Sequence, residues 1–420
     1  MTATWIAKNY KSKFKINPYL RLQDIIETVW LEWGIRVSRG VAYRARRRGQ
    51  SLIVGEYMEQ YTLLPRYAAE IKKSNPGNTV IIKMDGNIFE RMYICFEALK
   101  KGFIAGCRPF ISLDGCFLKG PYGGQLLVAV GRDGNNQMFP IAWAVVEVES
   151  TSSWTWFLTF LGEDLLSNEG AGYTFMSDQQ KGLLKAVSDV FPQAESRVCA
   201  RHVYCNFRGV FGGGLEYRKQ FWIMAKSTTE NEFFLNLEKM RIISNAAADD
   251  LLNRNYKKWC RAFYTPLSCC DSVDNNMSEV FNAYILNSRH KPIITMLEDI
   301  REGIMERLHK KRDEIGKKRC CCVQEYNSKL RSTRLVLGDG MHSGMGVVAI
   351  WNKVDQPEHY VNPFFTKSVY LKAYDYLLEP INGAEEWPSS ETLVNAPKLK
   401  KVHNRRQVKR RKAAGVLNMT

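Results

Sequence analysis

Two aspartates stand where chemistry could be done. Asp114 closes the apolar run Pro109-Phe-Ile-Ser-Leu, and Asp178 closes Tyr173-Thr-Phe-Met-Ser. Each therefore follows a predicted strand, at the end where open α/β sheets place their sites. Carboxylate oxygens are hard ligands, and a set of them can hold two Mg²⁺ (or Mn²⁺) ions. Such ions activate a water or a 3′-hydroxyl and stabilise the leaving oxygen of a phosphodiester. A third carboxylate on a helix after the fifth strand would complete that set. The plainer reading of Asp114-Gly115 is a turn after a strand, and both readings stand at this point.

A second pair is Cys199 and His202, spaced C-x-x-H. Two ligands are half of a tetrahedral zinc site, so zinc is doubtful. The pair reads better as a buried cysteine and a helix-start histidine that order the wall of a site, with His202 open as a group near the scissile DNA. The chain has 11 cysteines, three of them contiguous at Cys320, Cys321 and Cys322, and no C-x-x-C spacing. That excludes the usual four-cysteine zinc site and suggests reduced thiols.

The elements that must carry these residues follow from periodicity. Residues 1–80 read as helical: Leu22, Ile25, Ile26, Val29 and Trp30 recur at helical spacing, Gly34 breaks the run, and a basic helix is expected over Ser38–Arg48. Helix, glycine turn and basic helix is the outline of a helix-turn-helix DNA reader, with Arg44, Arg46, Arg47 and Arg48 as phosphate or groove contacts. A basic helical hairpin packed on the next domain is the alternative.

From about residue 80 the period changes to short apolar runs. Strands are expected at 109–114, 125–130, 138–146, 173–177 and 194–199, with helices over 153–166 and 180–190. The second and third are joined by Gly131-Arg-Asp-Gly-Asn-Asn136, a strong hairpin turn. The order β-β-β-α-β-α-β is that of the RNase H-like fold, which places the first and fourth strands side by side. The expected class is thus α/β (mixed α+β), an RNase H-like core with an inserted helical domain. The expected division is a helical basic region over 1–80, the core over 81–206, a helical insertion over 207–270, core completion with basic helices over 271–335, an irregular and helical region over 336–396, and a basic tail over 397–420. A last amphipathic helix is expected over Phe364–Leu378.

Charge is concentrated at the ends. Of a net +17, residues 1–84 hold 15 Lys/Arg against 6 Asp/Glu, and residues 397–420 hold 9 Lys/Arg and no acid. A near-neutral body with two basic ends points to a polyanion such as double-stranded DNA. Lys400, Lys401, Arg405, Arg406, Lys409, Arg410, Arg411 and Lys412 form the clusters that nuclear import receptors read, so a nuclear location and an import-receptor partner are expected. With 45% hydrophobic and 25% charged residues the chain is ordinary globular material. No run reaches the ~18 apolar residues of a membrane helix, and the N-terminus lacks the apolar core of a signal peptide, so no membrane partner is expected.

Five segments taken together resemble the plant Mutator-like transposases. They are Ser112-Leu-Asp-Gly-Cys-Phe-Leu-Lys-Gly120, Ala142-Trp-Ala-Val-Val-Glu-Val-Glu149 with Ser153-Trp-Thr-Trp-Phe-Leu158, Ser177-Asp-Gln-Gln-Lys-Gly-Leu183, Cys199-Ala-Arg-His202 with Asn206, and Asn275-Asn-Met-Ser-Glu-Val-Phe-Asn282. The resemblance runs from about Trp5 to the basic tail. It implies a DDE-type transposase that cuts and joins DNA strands with Mg²⁺ or Mn²⁺ and acts on element terminal repeats and target DNA. It also implies Asp114 and Asp178 as the first two metal carboxylates and Glu279 as the third, with Glu238 and Glu298 as other acids on predicted helices. Glu149 lies in a family-like motif, where pairing with a nearby basic residue is the simpler expectation.

Members of that family typically carry an N-terminal zinc knuckle and a C-terminal CxC…CxH module of the SWIM type. Neither is expected here: Ser343-Gly-Met-Gly-Val-Val-Ala-Ile350 takes the second place without a cysteine, and His342 and His359 have no partners in sequence. A truncated copy is one expectation. Two functions follow, an intact transposase or a transposase-derived DNA-binding or regulatory protein without cleavage; a homo-oligomer stays open.

Overall fold

A computed structural model of the chain describes residues 1–16, 20–165, 168–317 and 361–399. The basic clusters from Lys400 to Lys412, the cysteines 320–322 and the segment 343–350 lie outside the described residues.

Four helices open the chain: α1 (Ala3–Asn9), α2 (Lys11–Ile16), α3 (Leu22–Trp33) and α4 (Arg39–Ser74). Gly34 ends α3 in the left-handed conformation, φ 67°, with its N–H on the Trp30 carbonyl, the usual glycine stop. The basic helix expected to end near Arg48 instead runs on to Ser74. The reason is a continued apolar stripe. Ala42, Ala45, Ile53 and Tyr57 pack with Ile6, Phe14, Ile25 and Val29 in one core, while Tyr61, Leu64, Tyr67 and Ile71 enter the main core.

A hairpin not foreseen in the sequence follows, β1 (Thr79–Asp85) and β2 (Ile88–Cys95), then α5 (Glu97–Gly106). Next come β3 (Arg108–Phe117), β4 (Gln125–Arg132), β5 (Met138–Val146), α6 (Thr151–Leu165), β6 (Thr174–Ser177), α7 (Lys181–Val190) and β7 (Glu195–Val198). They form one mixed seven-stranded sheet in the order β1-β2-β5-β4-β3-β6-β7. β3, β4 and β5 are antiparallel neighbours, whereas β6 runs parallel to β3 and β7 parallel to β6. Every residue of β5 is buried, so helices cover both faces of the sheet at its centre. Pro140 sits in this central strand, and the register with β4 slips between Ala129 and Val130, beside its missing N–H donor.

Between β7 and the next core helix lie α8 (Ala200–Phe211), α9 (Leu215–Lys226), α10 (Glu230–Ile243) and α11 (Asn245–Asn253). They share their own core around Phe207, Phe221, Phe233 and Trp259. Buried Arg197 on β7 ties this layer to the sheet. Its guanidinium bonds the carbonyls of Cys270 at 2.6 Å and Thr265 at 3.0 Å, pairs with Glu195 at 2.9 Å, and stacks on Tyr264.

α12 (Asn276–Tyr284) then returns to β3, β4 and β5, and α13 (Ile293–Gly316) packs against α4. A short α14 (Lys367–Ala373) closes the described fold. The longer helix expected over Phe364–Leu378 is broken because Pro363 starts a 3-10 turn and the Thr366 hydroxyl caps a new helix at Val369 N–H. α14 docks on α5 through two glycines. A Cβ on Gly102 would lie 2.4 Å from the Ala373 carbonyl oxygen, and one on Gly106 would lie 2.4 Å from the Ala373 nitrogen.

Candidate active site

β3 and β6 pair in parallel only as far as Ser112 with Met176. Continuing that register by two residues sets Asp114 opposite Asp178, just where the two strands part. Asp178 follows the last residue of β6, as the sequence suggested. Asp114 does not end its strand: β3 continues to Phe117 because its other edge still pairs with β4, Asp114 facing Val128 and Phe117 facing Gln125. The turn reading of Asp114-Gly115 is thereby replaced by a mid-strand aspartate on a locally open edge.

The Asp114 carboxylate accepts from the Gly115 N–H at 2.9 Å and from the Asn282 side-chain amide at 2.8 Å. Burial pushes its carboxyl up to about 7, and the negative charges of Asp178, Glu149 and Glu279 push in the same direction. Asp178 accepts from the Gln180 N–H at 2.9 Å. Gln180 caps α7, whose start lies so close to α6 that a Cβ on Gly182 would stand 2.8 Å from the Thr151 nitrogen. This packing accounts for the glycine in Ser177–Leu183.

Glu149 was expected to serve a basic residue. It accepts from the Trp154 indole N–H at 3.2 Å, and a Cβ on Gly115 would touch its carboxyl carbon at 3.2 Å. It belongs to the acidic surroundings of Asp114. Glu279 lies in the first turn of α12, one helical turn before Asn282, and its carboxylate takes the Arg201 guanidinium at 2.6 Å. Arg201 also stands 3.8 Å from Asp274. The other acids weighed in the sequence stand elsewhere: Glu298 accepts from the Tyr67 hydroxyl and pairs with Arg301, tying α13 to α4, and Glu238 pairs with Arg241 on the surface of α10.

Cys199 is buried, and its sulfur accepts from the Asn275 N–H at 3.2 Å, while burial pushes the thiol up to about 11. That is a neutral thiol closing a turn. The Asn275 side chain in turn donates to the Leu113 carbonyl at 2.9 Å, fixing α12 beside β3. His202 keeps a buried Nδ1 with no hydrogen-bond partner, and Asn206 donates to Gln179 at 2.6 Å.

Among the N-terminal arginines, Arg46 donates to the Leu20 carbonyl and Arg48 to the Thr4 hydroxyl. Arg44, Arg47 and Arg48 are exposed. They lie on the stretch of α4 whose other residues, Ala42 and Ala45, enter the first helical core, apart from the segment that meets the sheet.

Sequence reasoning missed Asn282 and Arg201 as parts of the site. The i, i+3 spacing from Glu279 was the signal for Asn282. Nothing local signals the contact between Arg201 and Glu279, which are far apart in the chain.

Carboxylates from two parallel strands, joined by a helix-borne amide and a helix-borne acid, define a mixed α/β domain with an acidic site at a strand parting. Residues 110–206 match the family model of the MULE transposase domain. This part of the chain, with Asp114, Glu149, Asp178, Cys199 and His202, is similar to the Mutator-like transposases. No curated protein matches the chain.

Proposed function

We propose that the chain is a DDE-type transposase that binds double-stranded DNA and cuts and joins its phosphodiester bonds with a divalent metal. The observation that carries this reading is Asp114, a carboxyl with its charge disfavoured by burial and by three neighbouring acids. A divalent cation would relieve that repulsion. The sheet order β5-β4-β3-β6-β7, antiparallel then parallel, supports the RNase H-like form of the core.

The donor set suits Mg²⁺ or Mn²⁺ in kind. Asp114 and Asp178 offer hard oxygens, and the Asn282 side-chain oxygen is a buried acceptor with no partner. Among the described residues no group of three or more His, Cys, Asp or Glu side chains is close enough to hold a metal ion, and Glu279 is engaged by Arg201. Asp114 and Asp178 would hold the ion, with Glu279 joining them on release. When bound, such an ion lowers the pKa of the attacking hydroxyl and stabilises the leaving oxygen. The chain's own part is to orient Asp114 through Asn282 and Gly115, to fix Asp178 through Gln180, and to offer DNA the arginines of α4. The basic tail supplies phosphate contacts and nuclear import in this reading.

The experiment is cleavage of DNA bearing the element's terminal repeats, with Mg²⁺ or Mn²⁺, by the full chain. Asp114→Asn and Asp178→Asn should abolish cleavage and leave DNA affinity within about twofold, because charge-driven docking lies in the basic ends. Cutting at the wild-type rate by either variant would refute the assignment. A second reading, a DNA-binding derivative without cleavage, is favoured by one observation, the Arg201–Glu279 pair that occupies the third carboxylate. Absence of cleavage by the wild-type chain with intact DNA binding would select it.

A further inference from the structure

The Arg201–Glu279 pair lies at the carboxyl end of the parallel strands. Arg201 is in the first turn of α8, two residues after Cys199 at the end of β7. Glu279 is on α12, the helix that Asn282 fastens to Asp114, so its backbone is held near Asp114, one helical turn from that bond. Its carboxylate is turned to Arg201 at 2.6 Å instead. Both side chains are partly exposed, at 44% for Arg201 and 34% for Glu279. A pair of this kind is weakly held and open to competition by a stronger anion.

Resting on the metal-site reading above, we propose that Arg201 is a phosphate-binding residue for the scissile DNA strand, and that it exchanges Glu279 for a phosphate when DNA binds. Guanidinium forks match phosphate oxygens as well as carboxylates. A backbone phosphate arriving at the acidic site needs a positive partner, and Arg201, at the same end of the parallel strands as Asp178, provides one. The phosphate displaces Glu279, and the freed carboxylate becomes the third oxygen donor toward the divalent ion. Asp274, 3.8 Å from Arg201, remains to steady the guanidinium. The metal site is therefore completed only with DNA in place, which protects DNA from a preassembled cutting centre. By linkage, DNA must then tighten metal binding, and metal must tighten DNA binding by the same factor.

The test measures Mn²⁺ affinity of the full chain with and without a short blunt duplex, using Asp114→Asn as the blank for ions held by the DNA itself. For the wild type, the duplex should tighten Mn²⁺ binding by roughly 5- to 150-fold, the usual span of such coupling. Arg201→Ala should bind Mn²⁺ more tightly than wild type without DNA, gain little from the duplex, and lose its advantage in the Arg201→Ala/Glu279→Gln double variant. Glu279→Gln, a change on the helix surface that leaves the fold's core alone, should match wild type without DNA, bind duplex more tightly, and show no tightening of Mn²⁺ by DNA. Mn²⁺ binding by Arg201→Ala equal to or weaker than wild type would overturn the exchange, as would full DNA coupling in Glu279→Gln. If Asp114→Asn bound Mn²⁺ as well as wild type, the metal-site reading itself would fall and the exchange with it.

Discussion

The Asn282 amide donates to the Asp114 carboxylate across 2.8 Å, tying the helix that carries Glu279 to the strand that carries the first aspartate. The two residues are 168 positions apart, and the helical layer of α8 to α11 lies between them in sequence. The acidic site is thus closed by a late segment of the chain.

Asn282→Ala should lower cleavage by roughly 10- to 100-fold, the usual cost of losing a partner that orients a metal carboxylate. Duplex affinity at moderate salt should stay unchanged, because Asn282 contacts protein. Single-turnover cleavage beside a binding titration separates the two effects, and wild-type cleavage would show that Asp114 needs no orienting partner.

Asp114 also sets a pH dependence of stability. Its folded carboxyl titrates at about 7, whereas an unfolded aspartate titrates near 3.9. Below about pH 4 both states hold the proton and no cost arises. As pH rises toward about 7 the unfolded chain releases its proton first, so the folded state loses stability. Asp114→Asn removes this term, and metal-free variant protein should exceed wild type by on the order of 2–4 kcal/mol at about pH 8, with the gain fading toward pH 4. Urea unfolding at the two pH values checks this, and a pH-independent gain would contradict the cause.

The arginines of α4 should divide into two pairs. Arg44 and Arg47 are exposed, and replacing both with Ala should flatten the log–log salt slope of duplex binding by up to about two units, at roughly 0.9 per phosphate. Arg46, and Arg48 although it too is exposed, hold the Leu20 carbonyl and the Thr4 hydroxyl, and replacing both with Ala should lower the melting temperature more than it flattens the slope. Equal slopes for the two double variants would refute the division.

Gly102 and Gly106 should tolerate no side chain. Either Ala substitution drives a methyl into the backbone of α14, and the helix must shift or detach, at a cost of about 1–3 kcal/mol for each. The measurement is denaturant unfolding, with hydrogen exchange of residues 367–373 to locate the damage. Unchanged protection there would show that α14 is not held by this contact.

Much of the sheet was legible because β3, β4 and β5 are continuous apolar runs broken by strong turns. The β1–β2 hairpin was not, since Lys83, Glu90 and Arg91 interrupt its apolar alternation; Arg91 is buried with its guanidinium on Glu147 at 2.6 Å and on the Ser152 carbonyl at 3.0 Å. Asp133 looked like a plain turn residue, yet it is fully buried and accepts from the Tyr374 hydroxyl at 2.7 Å, a partner from the far end of the chain. Asp178 could be read from a strand end, and Asp114 from the end of an apolar run, although its strand continues to Phe117. The state of Glu279 could not, because ion pairing with Arg201 depends on the relative placement of α8 and α12. The longer α4 was missed because Gly49, Gly55 and Pro65, residues that ordinarily break helices, fall inside it.

α4 belongs to two cores at once, with Ile53 and Tyr57 in the first and Tyr61 and Leu64 in the second. Its 36 residues make a rod of about 54 Å at 1.5 Å per residue. Such a rod acts as a caliper: whatever Arg44 and Arg47 grip is held at a set span, and a set rotation, from Asp114. Adding one residue between Arg48 and Tyr57 would turn the grip by about 100° relative to the sheet, whereas adding seven would nearly restore its facing while lengthening the reach by about 10 Å. In the function proposed above, the length of this one helix would set where a duplex is cut, measured from where it is held.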